Sequence, residues 1–342
     1  MNIEPFDAAT ASDADLRAYY EFDCAIERET EPGDPVPPFD VAAVEFREPP
    51  SWEVVKRWLA RDGGEIVGRS LLELEYVDTN RHLGWFDVAV RPDRRGDHVA
   101  TRLLAPVVDA AAADGRTVLG VDAVEDTAGA AFVAALGLEK RAVERRSRLL
   151  TAEVDRTMLE EWVALARQRA SDYSLIGFDD ACPEELLDAY VGVTEIMNTA
   201  PREELDMEDW HDTPARVRER EARRARRRRH QWTLMVRHDP TGALAGFTDI
   251  GWGDWMDDLA WQGGTAVDPA HREKGIGRWL KAAMLLRVLD ERPEVARIDT
   301  WNAGSNRPML AINVALGFRP VKHYGTWQIA TDGLLAAVTK RV

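Results

Sequence analysis

Apolar and polar positions follow the same order of blocks twice along the chain. In each half, a short strand and helical material precede a hairpin, a further strand, a charged turn that contains glycine, and a long helix. Another strand, a short helix ending at Leu-Gly and a final strand follow. The hairpins turn at residues 62–64 and 239–242, where turn-forming residues interrupt the apolar runs. This order predicts an α/β fold in each half.

The clearest predicted elements lie in the second half. Its long helix is predicted from apolar residues at helical spacing, namely Leu280, Ala283, Met284 and Val288. A strand is expected at residues 296–301. The next helix has Pro308 in its first turn and Gly317 just past its end, which are positions that these residues favour. Its buried face is expected to carry Met309, Ile312 and Leu316.

Three landmarks recur at a nearly constant distance, which indicates the duplication of a whole domain. At offsets of 178, 177 and 180 residues, the matched pairs are Gly68 and Gly246, Pro92 and Pro269, and Gly137 and Gly317. This period is far longer than the roughly 20–50 residues of a solenoid repeat. We predict domains at residues 1–150 and 172–342, joined by a linker helix at residues 151–171.

Composition and charge narrow the class of protein. Hydrophobic residues make up 45% of the 342 residues and charged residues 30%, which is a globular profile. The net charge of −16 argues against broad binding to nucleic acid or anionic membranes, because phosphate contact needs a positive surface. No apolar run reaches about 18 residues, and residues 1–7 lack the features of a secretory signal. We therefore expect no membrane span and a cytoplasmic location.

The two cysteines, Cys24 and Cys182, lie in opposite halves of the chain. A disulfide between them would depend on chance geometry, and neither belongs to a metal-ligand spacing. We therefore expect two reduced thiols and no metal site.

The candidate chemistry lies at residues 262–280, where a strand runs into a tight turn and the turn opens a helix. Gly275 and Gly277 have no Cβ, so the backbone can approach a ligand closely. The N–H groups at a helix start favour an anion, and basic side chains add positive charge. The turn predicts a pyrophosphate cradle formed by Arg272, Glu273, Lys274, Gly275, Ile276 and Gly277.

Two common phosphate-binding motifs are excluded in this stretch. A P-loop needs the pattern G-x-x-x-x-G-K-[ST], which is missing from it. The dinucleotide fingerprint needs a third glycine three residues after the second, where Leu280 stands. The pattern that fits is R-x-x-G-x-G, directly after V-x-P.

With this turn, the second half resembles the GCN5-related N-acetyltransferase (GNAT) superfamily, whose [QR]-x-x-G-x-[GA] turn binds the pyrophosphate of acetyl-CoA. Residues 302–318 resemble the family's later helix, which often ends in L-G-F and flanks the pantetheine arm. The resemblance covers residues 172–342 well and residues 1–150 more weakly, and the doubled arrangement is similar to that of actinobacterial tandem members. It implies two GNAT-like domains, each with a central mixed, mostly antiparallel sheet flanked by helices.

The resemblance also implies further contacts with acetyl-CoA. The backbone of Ala266 and Val267 is expected to hydrogen-bond the pantetheine. The side chains expected to flank the arm are Asn302, Asn306 and Asn313. For these asparagines, capping and turn roles stay open as the alternative.

The first half departs from the pattern at the corresponding turn, residues 95–100. His98 stands where the first glycine is expected, and Asp97 places a negative charge beside the site. A side chain there would crowd the cradle, and a carboxylate would repel a phosphate. We expect the first domain to bind acetyl-CoA poorly and to be mainly structural.

The resemblance implies direct attack of an amine on the thioester, without a covalent enzyme intermediate. The amine must lose a proton, so a base or an ordered water chain is needed. The family often has a carboxylate on the strand before the turn. Residues 259–267 contain none, so Gln262 and Thr265 are the catalytic candidates there, for contact with the substrate or for positioning a water molecule. Candidate substitute bases, each of which can equally be a solvated or capping charge, are Asp249, Asp254, Glu203 and Glu204.

The acid that protonates the departing thiolate is also missing from its usual place. In the family a tyrosine often precedes L-G-F by three residues, and here that position is Asn313 in the second half and Val133 in the first. Tyr324 on the final strand is the candidate replacement. Its alternative role is that of a half-buried strand tyrosine.

A basic run at residues 216–229 invites a nucleic-acid interpretation. It has no interleaved aromatic residues, and acids precede it at residues 206–212. We expect a helix with a solvated charged surface and no nucleic-acid partner. The alternative is that the run attracts an acidic substrate or the 3′-phosphate of CoA.

These observations predict an acetyl-CoA-dependent N-acetyltransferase that acts on a small amine, as a monomer or homodimer. The alternatives are an acyl-CoA-binding sensor without turnover, an enzyme that acetylates a protein N-terminus or lysine, and a different acyl donor. An insertion at residues 200–211 is expected to line the acceptor pocket. Its acids would suit a cationic amine.

Overall fold

The computed structural model describes residues 1–341, and the chain divides by contacts into two compact units. The first unit contains Met1–Val143, Arg202–Asp209 and the chain from Tyr324 onward. The second unit contains Glu144–Pro201 and Trp210–His323. The domain boundaries expected from the sequence duplication stay predictions.

The strands and helices follow the predicted order twice. In the first part of the chain they are β1 (Asn2–Pro5), α1 (Asp13–Thr30), α2 (Phe39–Arg47), β2 (Glu53–Asp62), β3 (Glu65–Glu75), β4 (Leu83–Val90), α3 (Val99–Ala113), β5 (Val118–Val124) and α4 (Ala128–Ala135). The next are β6 (Glu139–Leu150), α5 (Arg156–Arg169), β7 (Tyr173–Asp179), α6 (Leu187–Thr194), α7 (Pro214–Arg226), β8 (Arg229–His238) and β9 (Leu244–Gly253). The last are β10 (Leu259–Val267), α8 (Ile276–Glu291), β11 (Arg297–Ala303), α9 (Arg307–Leu316), β12 (Arg319–Ala330) and α10 (Thr331–Thr339).

Each unit contains a mixed sheet of six strands with one parallel pair. The order in the first unit is β1-β2-β3-β4-β5-β12, and β4 and β5 are parallel. The order in the second unit is β6-β11-β10-β9-β8-β7, and β10 and β11 are parallel. The other pairs within each sheet are antiparallel. The predicted mixed, mostly antiparallel sheets flanked by helices are confirmed.

The last strand of each copy does not complete the sheet of its own copy. Residues 144–150 of β6 follow the helix that ends the first copy, yet they pair with Arg297–Ala303 of β11 in the second unit. Residues 324–330 of β12 follow α9, yet they pair with Val118–Val124 of β5 in the first unit. The duplicated sequence pattern does not reveal this exchange, because it places a final strand in each copy without encoding which sheet that strand joins.

Helix α8 is held in the second unit by its apolar side. The predicted core residues Leu280, Met284 and Val288 are buried, and Ala283 packs against the same core. Each large buried side chain contributes roughly 1.5–3 kcal/mol. The helix within the expected linker, α5, packs Leu159 into this core.

Helix α9 begins and ends as its sequence predicts. The side chain of Asn306 accepts a hydrogen bond from the N–H of Met309, which is an N-cap contact. Gly317 has φ of +100°, the left-handed conformation that closes a helix without steric cost in glycine. Leu316 is buried and Ile312 packs beside it.

The basic run forms a helix only in its first part. Helix α7 ends at Arg226, and the last arginine of the run, Arg229, begins strand β8. Arg218 pairs with Glu184 and Glu221, so its charge is locally neutralised. The expected continuous solvated helix is therefore wrong at its C-terminal end.

The sequence predicts no membrane span, no metal site and no disulfide, and the described residues 1–341 bear on each of these. Every helix in this range falls short of the length or the apolar character that a membrane crossing requires. His, Cys, Asp and Glu side chains in this range do not gather in threes in a way suited to a metal ion. Cys24 and Cys182 are both buried free thiols.

Candidate functional site

The turn between β10 and α8 has the backbone that its sequence predicts. Gly275 has φ of +85° and forms the N-cap of α8, so the first N–H groups of the helix have no helical acceptors. Glu273 also lies in the left-handed region, with φ of +67°. A Cβ on Gly277 would lie at ordinary contact distances, 3.5 Å from Ile312 and 3.7 Å from Val267. Residue 275 therefore needs glycine for its conformation, whereas alanine fits at residue 277.

Two basic side chains surround this helix start. The Nε of Arg272 donates to the carbonyl of Val267 at 3.0 Å, and its terminal nitrogen donates to Thr199 Oγ1 at 2.9 Å. The ammonium of Lys274 lies 5.9 Å from the ring centre of Tyr173. Within residues 1–341, neither cation has a carboxylate partner. The turn therefore combines free helix N–H groups with two positive charges that are not neutralised, which favours an anion.

Strands β10 and β11 diverge beside this turn, and we call the gap between them the fork. Their parallel pairing runs from Leu259↔Arg297 to Trp261↔Asp299. At the closed end of the fork, Thr300 Oγ1 donates to the carbonyl of Gln262 at 3.2 Å. Beyond this point β10 continues to Val267, paired with β9 on its other edge. Its backbone edge toward β11 can therefore receive an extended ligand as an added strand.

The alternation of β10 decides which backbone groups face the fork. The N–H of Asp268 donates to the carbonyl of Ala245 on β9 at 2.9 Å. Since strand residues alternate in direction, Ala266 also points its backbone groups toward β9, and Thr265 and Val267 point theirs toward the fork. The predicted pantetheine contact of Ala266 is corrected for this reason, while that of Val267 stays a prediction.

The two predicted catalytic residues on β10 hold the strand to its neighbour. The amide of Gln262 donates to Thr248 Oγ1 at 3.0 Å, and the hydroxyls of Thr248 and Thr265 lie 2.7 Å apart. Gln262 is buried and lies against α8. These contacts cross a bulge between Gln262 and Thr265, where β10 has one residue more than β9. The structure thus gives both side chains a role in shaping the strand.

The three predicted asparagines divide into a hydrogen-bonded pair and a helix cap. Asn313 Nδ2 donates to Asn302 Oδ1 at 2.6 Å, and Asn313 is 1% exposed. Among the residues that the structure describes, Asn313 Oδ1 is a buried acceptor without a hydrogen-bond donor. Such a group is costly unless a ligand or water satisfies it. Asn306 caps α9, so its side chain is already used.

Several sequence candidates for acid or base lie outside this arrangement. Tyr324 belongs to the first unit, where its hydroxyl donates to Glu31. Glu203 belongs to the same unit, and its carboxylate accepts the N–H of Val143 at 3.0 Å. The acids of residues 202–209 are therefore engaged within the first unit, and the acceptor pocket expected at residues 200–211 stays a prediction.

Asp254 lies at a separate cleft of about 480 Å³ at the far end of β9. Its carboxylate is 2.9 Å from His230 Nε2, and Trp252 and Arg292 line the same cleft. The carboxylates of Asp180 and Asp254 raise the pKa of His230, although partial burial opposes them. This cleft contains none of the residues of the turn or the fork.

Asp249 is the sequence candidate that the structure places at the fork. It lies on β9 opposite the bulge of β10, and the N–H of Gly264 hydrogen-bonds its carboxylate. Burial raises the pKa of Asp249 to about 7, against the opposing effects of Arg224 and of this N–H group. The available sequence signal was the pair Gly263-Gly264 inside a strand pattern, which indicates a bulge or a close approach.

The corresponding turn of the first unit has a different charge environment. The guanidinium of Arg95 forms two hydrogen bonds of 2.6 Å with Glu29. Arg94 pairs with Asp62 at 2.7 Å and lies 3.5 Å from Asp97. These acids neutralise the cations that a phosphate would need.

Comparison with known proteins identifies a matching family and solved structures of similar fold. The model described as the acetyltransferase (GNAT) family matches residues 17–138 and 192–318, which is more than half of the chain. No curated protein matches the sequence significantly.

Solved structures with the same fold span nearly the whole chain. A structure described as a tandem GNAT protein from the clavulanic acid biosynthesis pathway (without AcCoA) is 26% identical, with a TM-score of 0.79, over 96% of this chain and 98% of that chain. A GCN5-related N-acetyltransferase from Sphaerobacter thermophilus is 12% identical, with a TM-score of 0.66, over 96% of each chain. A glucosamine N-acetyltransferase region of a fungal multi-domain β-N-acetylglucosaminidase is 13% identical, with a TM-score of 0.68, over 96% of this chain and 38% of that chain.

Proposed function

Since this chain belongs to the acetyltransferase (GNAT) family, we propose that it transfers an acetyl group from acetyl-CoA to a small amine. Membership in the family and the tandem arrangement, both expected from the sequence, are confirmed by the family match and by the tandem structure that it resembles. The observation that carries the proposal is the charged helix start of α8 beside an open strand edge. Such a combination suits a ligand with a diphosphate followed by an extended amide-containing arm.

The residues of the second unit fit the parts of acetyl-CoA in sequence. The N–H groups at Gly275–Gly277, with Arg272 and Lys274, suit the diphosphate. The backbone edge at Thr265 and Val267 suits the amides of the pantetheine arm. The unsatisfied Oδ1 of Asn313 provides an acceptor for a donor on the same arm.

For this reaction the protein has to position the thioester and the amine and to assist proton transfer. Acetyl-CoA, when bound, supplies a thioester that an amine can attack directly. The bulge of β10 is held in shape by Gln262, Thr248 and Thr265, so the end of the fork is a fixed place for the reacting group. A primary amine is protonated at neutral pH, with a pKa near 10.4, so a proton acceptor must lie close to it.

A CoA-binding protein without turnover is the second candidate. It is favoured by Asn313, whose amide stands where the family often has an acidic tyrosine. It is also favoured by the place of Tyr324 in the first unit. In this second function the same turn and fork would hold the coenzyme, and no amine would be acetylated.

Two measurements separate these functions. Calorimetry with CoA is expected to show one site per chain. A thiol-release assay with acetyl-CoA and a panel of alkylamines, polyamines and amino sugars is expected to show at least one amine well above the amine-free rate. Binding without release by any amine supports the non-catalytic protein. Failure to bind CoA contradicts both functions.

A further inference from the structure

Strand β9 carries one carboxylate toward the face of the sheet opposite α8. Ile250 packs into the core beneath α8, and Phe247 packs with α6 and α7 on the other side. Side chains alternate along a strand, so Asp249 points to the same side as Phe247. The neighbouring charged groups agree with this direction. Arg224 of α7 lowers the pKa of Asp249, and the charge of Asp249 raises the pKa of Tyr190 on α6.

The two glycines in the bulge of β10 leave room for the Asp249 carboxylate. A Cβ built on Gly263 would lie 2.1 Å from Asp249 Oδ1, and a Cβ on Gly264 would lie 3.3 Å from Oδ2. Any side chain at residue 263 would therefore displace the carboxylate. The two glycines let Asp249 reach across the backbone of β10 immediately after Gln262, whose carbonyl marks the closed end of the fork.

The structure assigns Asp249 as the catalytic base that takes the proton from the acceptor amine, an inference that rests on the proposed acetyl transfer. Residues 259–267 provide no carboxylate of their own, and the neighbouring strand supplies one across the double glycine. The acceptor in this assignment is an ammonium compound whose nitrogen meets the thioester beside Asp249.

The proton and electron balance of the step is complete. The carboxylate of Asp249 accepts one proton from the ammonium, and the electron pair left on nitrogen forms the new bond to the thioester carbonyl carbon. The carbon–sulfur bond breaks, and the second proton lost by nitrogen goes to sulfur. The products are an amide, a free thiol and one proton on Asp249, which returns to water.

The charged and titratable groups around Asp249 suit a base at neutral pH. Burial raises its pKa to about 7, and Arg224 of α7, the N–H of Gly264 and Lys281 of α8 oppose this rise. Burial raises the pKa of Tyr190 to about 12, and the charge of Asp249 adds to that effect, so this phenol stays neutral. Burial lowers the pKa of Lys281 to about 7, against the attraction of Asp249. A base works best with a pKa near the working pH.

The first unit has no acid at the matching position. Gly68 pairs with Val90 as Gly246 pairs with Val267, so Leu71 occupies the place that Asp249 has in the second unit. The pairing of β3 with β4 runs from Gly68 to Glu73 without a shift. The bulge and the carboxylate therefore occur together in the second unit.

The test uses the full chain with acetyl-CoA and the amine of the panel that reacts fastest. Asp249→Asn is expected to lower kcat about 100-fold or more, with CoA affinity by calorimetry unchanged. In the unaltered chain kcat is expected to rise with pH through about 7, and this rise is expected to be lost in Asp249→Asn. Asp254→Asn is the matched control, because Asp254 directly follows β9 but lies in the separate cleft, away from the fork. The kcat and the pH profile of this variant are expected to stay unchanged.

A second measurement does not depend on turnover. Carboxyl ¹³C NMR of the full chain, with the Asp249 signal identified by its loss in Asp249→Asn, is expected to show titration near pH 7. If the amine reacts as fast with Asp249→Asn as with the unaltered chain, or if the signal titrates near pH 4, the assignment of the base is wrong while acetyl transfer stands. If no amine of the panel reacts at all, acetyl transfer itself fails.

Discussion

The turns that open α3 and α8 share one backbone and differ in charge. Residues Gly96 and Glu273 have φ of +93° and +67°, and residues His98 and Gly275 have φ of +57° and +85°. In both turns an arginine Nε donates to the carbonyl at the end of the preceding strand, at 3.1 Å in the first unit and 3.0 Å in the second. The duplicated copies have therefore kept the turn conformation where the sequence motif is lost.

The difference between the turns lies in what surrounds the arginine. In the first unit Arg95 is neutralised by Glu29, whereas in the second Arg272 contacts the uncharged Thr199. The same contrast extends to the strands, because the first unit has Leu71 and regular pairing where the second has Asp249 and a bulge. Backbone geometry is therefore shared by the two copies, and the charge around the turn and one carboxylate distinguish them.

The largest expected effect concerns the carboxylate that only the second unit has at this place. The ordinary pKa of an aspartate is 3.8 and that of Asp249 is about 7. Between these values the unfolded chain has lost a proton that the folded chain retains, so stability falls as pH rises through this window. Asp249→Asn is expected to raise the stability of the second unit at pH 8 by up to about 4 kcal/mol.

Thermal unfolding at pH 8 and pH 4 checks this expectation. The gain should be nearly complete at pH 8 and mostly lost at pH 4, where the folded carboxyl is protonated and the unfolded one, with its ordinary pKa of 3.8, is roughly half protonated. The control is Asp254→Asn, which is expected to show no such gain. A loss of stability at pH 8 in Asp249→Asn would contradict the burial cost of this group.

The next effect tests which turn holds the coenzyme. Gly277→Glu places a carboxylate in the first turn of α8, where repulsion of roughly 3 kcal/mol from a diphosphate is expected to weaken CoA binding on the order of 100-fold. Ala100→Glu is the same change in the first unit and is expected to leave CoA affinity as it was. Calorimetry with CoA measures both.

Gly277→Ala is the steric control for this pair of variants. Its Cβ meets Ile312 and Val267 at ordinary distances, so affinity is expected to be preserved. The reverse result would be a loss of CoA affinity in Ala100→Glu and none in Gly277→Glu. It would show that CoA binds to the first unit.

The smallest effect compares the shared left-handed position in the two turns. Gly275→Ala is expected to cost about 1 kcal/mol, because an L residue is strained at φ of +85°. His98→Gly at the equivalent position is expected to stabilise the first unit by less than about 1 kcal/mol, since the unfolded chain also gains freedom. Opposite shifts in the unfolding temperature of CoA-free protein confirm the shared backbone. Shifts of the same sign show that the turns differ.

The sequence by itself determined the helices and strands of this protein and the charged, glycine-containing turn that opens α8. Helices α8 and α9 follow from apolar spacing, Pro308 and Gly317, because these signals act within a few residues of the chain. Family membership followed from the same local patterns at residues 272–277 and 302–318.

Only the tertiary structure decided which sheet each final strand joins and which carboxylate meets the fork. Pairing of β12 with β5 depends on residues about 200 positions apart, and no local pattern encodes that choice. Asp249 looks like any strand aspartate in sequence. It becomes distinct because the bulge of a neighbouring strand, with Gly263 and Gly264, brings a desolvated carboxylate to the place where two strands separate.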